Sequence, residues 1–139
     1  GAVVAPIICY ESIYGEFTSE FVKNGANLIS ISTNDSWWGN TDGHRQFLDY
    51  ARLRAIENRR SIARSANSGI SAFINQRGDV IESLAYEKQG ALSGTLRMNT
   101  EITNYSIAGD FLARVALIVS SIILAYAFAA KLINKDKKV

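Results

Sequence analysis

Cys9 is the residue with the most chemistry to offer. It is the only cysteine in the 139-residue sequence. It falls where the apolar run Ala5-Pro6-Ile7-Ile8 gives way to Tyr10-Glu11-Ser12. A thiol at the tip of a buried strand, beside the start of a helix, stands where a nucleophile is useful, because helix amides stabilise the thiolate and lower its pKa. The amide of the next residue, Tyr10, then points to where an oxyanion forms during acyl transfer. Glu11 favours the first helical turn electrostatically, or orients or tunes groups around the sulfur, or does both. The plainer reading of Cys9 is a small buried hydrophobe, the ordinary state of an unpaired cysteine.

A cysteine nucleophile needs a base to take its proton. His44 is the only histidine. Its place between a loop and a helix would let it approach the thiol, but nothing in the sequence fixes it there, so the base is expected outside this chain. One histidine and one distant cysteine make no zinc site, and no metal or cofactor is expected. A net charge of +2 is too small to point to nucleic acid. A lone cysteine also excludes an internal disulfide.

These groups must be positioned by regular elements, and the hydrophobic pattern predicts an α/β domain. Val3 to Ile8 reads as a buried strand and Glu11 to Lys23 as a helix stopped by Asn24-Gly25. Asn27 to Thr33 alternates like a strand with one buried face. Asn34 to Gly43, with Trp37 and Trp38, is a loop of turn formers. The tryptophan pair reads as a buried aromatic pair or an interfacial anchor against lipid. A long helix is expected from His44 to Ala66, carrying Arg52, Arg54, Arg59, Arg60 and Arg64 on solvated positions or in helix ion pairs, with phosphate headgroup contact as the alternative for one or two of them. Strands are expected at Gly69 to Asn75, Val80 to Leu84 and Gly90 to Met98, with Gln76-Arg77-Gly78-Asp79 as a hairpin turn.

The C-terminal part has a different character. From Val115 to Ala130 there is no charge, and with Phe111, Leu112, Leu132 and Ile133 the stretch reaches roughly the 20 residues that a spanning helix needs. Lys131, Lys135, Lys137 and Lys138 follow it, while only Arg114 precedes it closely. The excess of cations places the C-terminus in the cytoplasm and the α/β domain outside. The expected organisation is a catalytic portion at 1–98, a connector at 99–110, a transmembrane helix at 111–133 and a basic cytoplasmic tail at 134–139. The opening Gly1-Ala2-Val3-Val4 enters directly as a strand, with no basic leader. The chain is therefore expected to be the C-terminal piece of a longer protein.

Several of these segments together resemble a known family. They are Ile8-Cys9-Tyr10-Glu11, Asn34-Asp35-Ser36-Trp37-Trp38-Gly39, Gln46 with Arg52-Leu53-Arg54-Ala55-Ile56-Glu57-Asn58-Arg59-Arg60, and Arg64-Ser65-Ala66-Asn67-Ser68-Gly69-Ile70-Ser71. Over about residues 3–98 they are similar to the nitrilase, or carbon–nitrogen hydrolase, superfamily. With the terminal span they resemble its membrane-embedded apolipoprotein N-acyltransferase branch.

The resemblance implies part of a four-layer α-β-β-α sandwich followed by one C-terminal transmembrane helix. It also implies a Glu–Lys–Cys triad, of which only the cysteine maps here, onto Cys9; the family's glutamate and lysine lie upstream of it. Glu11 matches the acidic residue after the nucleophile, and Trp37 the tryptophan of the loop near the active site. The family often has a histidine after the glutamine of the long helix; here Phe47 follows Gln46, and the histidine is at 44. The implied reaction moves an acyl chain from a phospholipid donor, through a cysteine thioester, to the N-terminal amine of a diacylated lipoprotein at the bacterial inner membrane, with the catalytic domain periplasmic. The alternatives are a membrane-anchored amidase of small amides and an inactive domain that binds lipid or a partner. With two of the three implied catalytic groups outside it, the purified 139-residue chain is expected to show no acyl transfer. Turnover measured by mass spectrometry of a model lipopeptide would contradict that division of the triad.

Overall fold

The computed structural model describes residues 1–136, with side chains through Lys131. Five strands form one mixed sheet in sequence order: β1 (Val4–Ile8), β2 (Leu28–Asn34), β3 (Ile62–Asn67), β4 (Ser71–Ile74) and β5 (Val80–Leu84). β1, β2 and β3 are parallel, while β4 and β5 fold back antiparallel. Parallel neighbours need crossover connections. These contain α1 (Gly15–Lys23) between β1 and β2, and α2 (Asp42–Asn58) between β2 and β3.

Alternation along the strands decides what is buried. Ala5 and Ile7 of β1, Ile29 and Ile31 of β2, Ile62 of β3, and Ala72 and Ile74 of β4 form the core with Ala51 and Ala55 of α2. Phe21 of α1 and Leu48 of α2 pack against that cluster. Small residues on α2 let its backbone approach the sheet closely. On the outer face of β1, Val4 and Ile8 remain exposed. The expected mixed α/β layering is present, as one sheet with helices against one face.

Three elements depart from the sequence expectation. The helix expected from Glu11 to Lys23 is split: a 3₁₀ turn, Cys9–Ile13, comes first and α1 begins at Gly15. The helix expected to reach Ala66 ends at Asn58, because Arg59 adopts a left-handed conformation (φ 51°) and its amide closes on the Ala55 carbonyl. Residues 62–67 are needed as β3, where Ile62 pairs with Ile29. Of the five arginines expected along that helix, only Arg52 and Arg54 lie on it. Arg60 turns inward and donates to the carbonyls of Ala26 (2.8 Å), Asn58 (2.9 Å) and Glu101 (2.7 Å). Burial lowers its guanidinium pKa, opposed by the charge of Glu101. The third departure is the strand expected at Gly90 to Met98. It is an irregular segment, tied by Ser61 Oγ and Gln76 Nε2 donating to the Arg97 carbonyl.

Residues 99–109 belong to the same compact unit as the sheet. A short helix, α3 (Asn104–Ala108), is held by a buried polar cluster. Ser19 Oγ of α1 and Ser106 Oγ of α3 both donate to Asn58 Oδ1 at 2.9 Å. Thr103 Oγ1 donates to the Glu57 carbonyl. A second unit begins at Asp110 and contains α4 (Phe111–Asp136). Its stretch Phe111–Lys131, 21 residues, is long and apolar enough to cross a membrane, and none of it is buried. The side chains of the basic segment 134–139 lie outside the described residues.

Asn58→Ala would remove the acceptor shared by the Ser19 and Ser106 hydroxyls, at about 1 kcal/mol per lost hydrogen bond, since Ser19 Oγ keeps the Gly15 carbonyl at 3.0 Å and Ser106 Oγ keeps Thr103 Oγ1 at 2.9 Å. The expected result is faster limited proteolysis within 103–108, read by mass spectrometry, ahead of cleavage in the sheet.

Candidate active site

The parallel strands end at one edge. Ile8 lies opposite Ser32, and Asn34 opposite Asn67, so the residues that follow β1, β2 and β3 gather there. Ligand sites in open α/β sheets form at this carboxyl edge. Cys9 is the first residue past β1, and Asn34 to Trp38 follow from β2. Together Cys9, Tyr10, Asn34, Trp37 and Trp38 line a pocket of about 310 Å³.

Cys9 stands in a backbone conformation that side-chain-bearing residues avoid, at φ 50°. Such a conformation costs about 1–3 kcal/mol and persists where the surroundings enforce it. Here they do. Glu11 Oε2 accepts from the Ile8 amide at 2.7 Å, and Ser12 Oγ donates to the Cys9 carbonyl at 2.8 Å. Arg54 Nη1 of α2 donates to the Ile13 carbonyl at 2.6 Å, gripping the far end of the turn. Arg54 is itself held by Glu57, with Nε and Oε2 2.9 Å apart. Gly15 lets these groups in, since a Cβ there would lie 2.2 Å from Tyr105 Oη and 3.0 Å from Arg54 Nη1. The sharp turn leaves the sulfur half-buried at the pocket. Among the described residues no hydrogen bond reaches it.

The sequence placed Cys9 at the start of an α-helix. The five-residue 3₁₀ turn corrects this: the long-helix dipole invoked for the thiolate is absent at this position, and the tight turn presents the sulfur instead. Glu11 Oε2 holds the Ile8 amide, a backbone contact that neither reading of Glu11 names.

The aromatic wall is built from two unlike tryptophans, which rules out a buried pair. Trp38 packs on Phe47 (5.6 Å between centroids) and Tyr10 (6.5 Å), with Tyr10 edge-on to Phe47 at 5.2 Å. Gly43 makes room for Trp38, whose ring atoms would lie 2.8 Å from a Cβ. Trp37 is 85% exposed. His44 is buried beneath the loop, stacked on Tyr86 at 4.4 Å. Its Nδ1 lies 3.2 Å from the Gly39 carbonyl, which only accepts, so Nδ1 carries the proton. Its polar contact is thus with the loop backbone.

A buried ion pair that the sequence reading passed over lies under this wall. Asp35, read there as a turn former, is fully buried. Its Oδ2 receives Arg64 Nη2 at 2.7 Å and its Oδ1 receives Thr33 Oγ1 at 2.8 Å. A signal was available. Ile29, Ile31 and Thr33 are buried positions at period two, and Asp35 is the next. Ile62 and Arg64 continue the same face on β3. An acid and an arginine directed into one core must meet.

Residues 1–103 match the family model for carbon–nitrogen hydrolases. An apolipoprotein N-acyltransferase from Chlorobaculum tepidum is 35% identical over 128 residues, 92% of this chain and 24% of the relative. Another from Allorhizobium ampelinum is 38% identical over 131 residues, 90% of this chain and 24% of the relative. The chain thus spans about a quarter of the length of these curated relatives. Among solved structures, a carbon–nitrogen hydrolase from Helicobacter pylori G27 superposes with a TM-score of 0.56 at 13% identity, over 63% of this chain and 38% of that one. An amidase mutant from Nesterenkonia sp. AN1 superposes with a TM-score of 0.51 at 21% identity, over 63% of this chain and 35% of that one. It carries the acetamide moiety of fluoroacetamide covalently on its active-site cysteine.

His44→Asn retains a donor for the Gly39 carbonyl and removes the imidazole. The pH profile of Cys9 alkylation by iodoacetamide is expected to stay unchanged, and a displaced inflexion would return the imidazole to the thiol.

Proposed function

Because the chain belongs to the carbon–nitrogen hydrolase family, we propose that it is the nucleophile-bearing part of a membrane-bound N-acyltransferase in which Cys9 carries a fatty acyl chain as a thioester. The observation that carries this reading is a cysteine held at φ 50° on the rim of an aromatic-walled pocket. The names of the sequence relatives support acyl transfer to the N-terminus of a lipoprotein. The apolar helix Phe111–Lys131 supports a reaction between substrates held in a bilayer.

The chemistry is a two-step transfer. The Cys9 thiolate attacks the ester carbonyl of a phospholipid, and collapse of the tetrahedral intermediate forms the thioester and expels lysophospholipid. The free α-amine of a diacylglyceryl-cysteine then attacks the thioester, forming the amide and returning the thiol. A thioester suits the second step because a thiolate leaves readily before an amine nucleophile.

A tight turn also leaves its first amides without carbonyl partners inside it. The Tyr10 amide is the natural donor to the oxyanion of both steps. The glutamate base and the lysine implied by the family resemblance come from outside this chain. Tyr10, Trp37 and Trp38 form the wall along which the acyl chain lies, and exposed Trp37 meets the lipid. The catalytic portion faces the periplasm, with the C-terminus in the cytoplasm.

An amidase of small amides shares the fold and the cysteine and would use the 21-residue apolar helix only as an anchor, but Trp37 at 85% exposure has no use in it. The test is made on the full-length protein in membranes. Incubation with phospholipid is expected to add the mass of one acyl chain to the peptide bearing Cys9, and Cys9→Ala to abolish it. An adduct that survives the substitution would move the nucleophile elsewhere. Turnover of acetamide without any acyl adduct would favour the amidase.

A further inference from the structure

The loop that walls the pocket is fastened to the sheet by one charged contact surrounded by weaker ones. Asp35 follows β2 and precedes the 3₁₀ turn Ser36–Trp38, and its own carbonyl accepts the Trp38 amide at 3.1 Å. Wherever the Asp35 backbone goes, Trp37 and Trp38 follow. Its carboxylate is fixed by Arg64 Nη2 and Thr33 Oγ1. The Arg64 guanidinium meanwhile donates through Nη1 to the Ile70 carbonyl. One planar fork therefore joins the loop after β2 to the turn between β3 and β4, an arrangement that an ammonium cannot reproduce.

Both side chains are essentially excluded from water, at 1% and 0% exposure. Neither can leave without stranding a buried charge. Outside the pair, the two loops touch through Ser36 and Ser68 hydroxyls at 2.9 Å and the Asp35 amide donating to the Asn67 carbonyl at 3.3 Å.

Gly69 completes the contact. A Cβ there would lie 2.1 Å from Asp35 Oδ2 and 2.6 Å from its Cγ. These carboxylate atoms are pinned on both oxygens, so the added carbon would displace the Asp35 loop and the tryptophans with it. The Cys9 turn is held by a different set of contacts, from Glu11, Ser12 and Arg54. The hydrogen bonds that support the two sides of the pocket are therefore separate, and the sides meet where Tyr10 packs on Trp38.

We propose that the Asp35–Arg64 pair, with Gly69 fitted against it, positions the aromatic wall and so selects reagents with a long apolar chain at Cys9, while leaving the intrinsic reactivity of the thiol alone. Arg64 and Asp35 act through Trp37 and Trp38 and are positioning residues. The inference rests on the reading of this pocket as an acyl site.

The test compares two thiol reagents of equal chemistry on the full-length protein in detergent. N-ethylmaleimide reports the thiol alone, and a hexadecyl maleimide reports the thiol together with the wall. In the unaltered protein the long-chain reagent is expected to react faster. Gly69→Ala should lower the ratio of long-chain to short-chain rates by about tenfold or more, the scale expected from displacing a binding wall by about an ångström. The N-ethylmaleimide rate should stay within about a factor of two. Arg64→Lys keeps the charge, adds no bulk and should lower the same ratio, providing an independent reading if Gly69→Ala folds poorly.

A ratio unchanged in both variants overturns the proposal. A parallel fall of both rates also overturns it, because it marks general loosening instead of a wall displacement. If the unaltered protein shows no long-chain preference, the acyl-site reading fails first and this inference fails with it.

Discussion

Three parallel strands ending at the same edge are the constraint on which the site depends. With Ile8 beside Ser32 and Asn34 beside Asn67, residues separated by a helix in sequence become neighbours past the ends of adjacent strands. The register is set by burial. A shift of one residue would turn Ile29 and Ile31 out of the core and place serines inside. The hydrophobic pattern of the strands thus fixes the relative placement of Cys9 and the aromatic loop, although neither belongs to the core.

The placement then has to be made rigid where the backbone is under strain. Cys9 at φ 50° is held by contacts from one side, with Glu11 and Ser12 local and Arg54 reaching over from α2. The tryptophan loop is held from the other side by Asp35 and Arg64. Both supports use an arginine whose guanidinium bridges a carboxylate and a backbone carbonyl. This is the use to which a planar multi-donor group is best suited in a dry environment. The polar cluster about Asn58 extends the first support toward α3, which immediately precedes the apolar helix in sequence.

The arginines also show where reading by period alone goes astray. Residues 44–66 carry enough helix-compatible residues to suggest one continuous helix. The left-handed Arg59 ends it, and Ile62 to Asn67 are drawn into the sheet by pairing with β2. Tertiary pairing overrode local propensity there. Gly90 to Met98 failed in the opposite sense. Its residues allow a strand, but the segment bonds through side chains and single carbonyls, so no ladder forms.

The strands β1, β2, β4 and β5, the buried face of β2, the apolar terminal helix and Cys9 as a candidate nucleophile were legible in the sequence. Each depends on chemistry or periodicity confined to a few neighbouring residues. The positive φ at Cys9, the burial of Arg54, Arg60 and Arg64, the seating of His44 on Tyr86 and the closeness of Gly69 to Asp35 were decided only by the tertiary structure. Each of these requires two distant segments to compete for one volume, or one charge to find a partner from another element. Spacing along a chain carries no measure of that until the sheet has closed the distance.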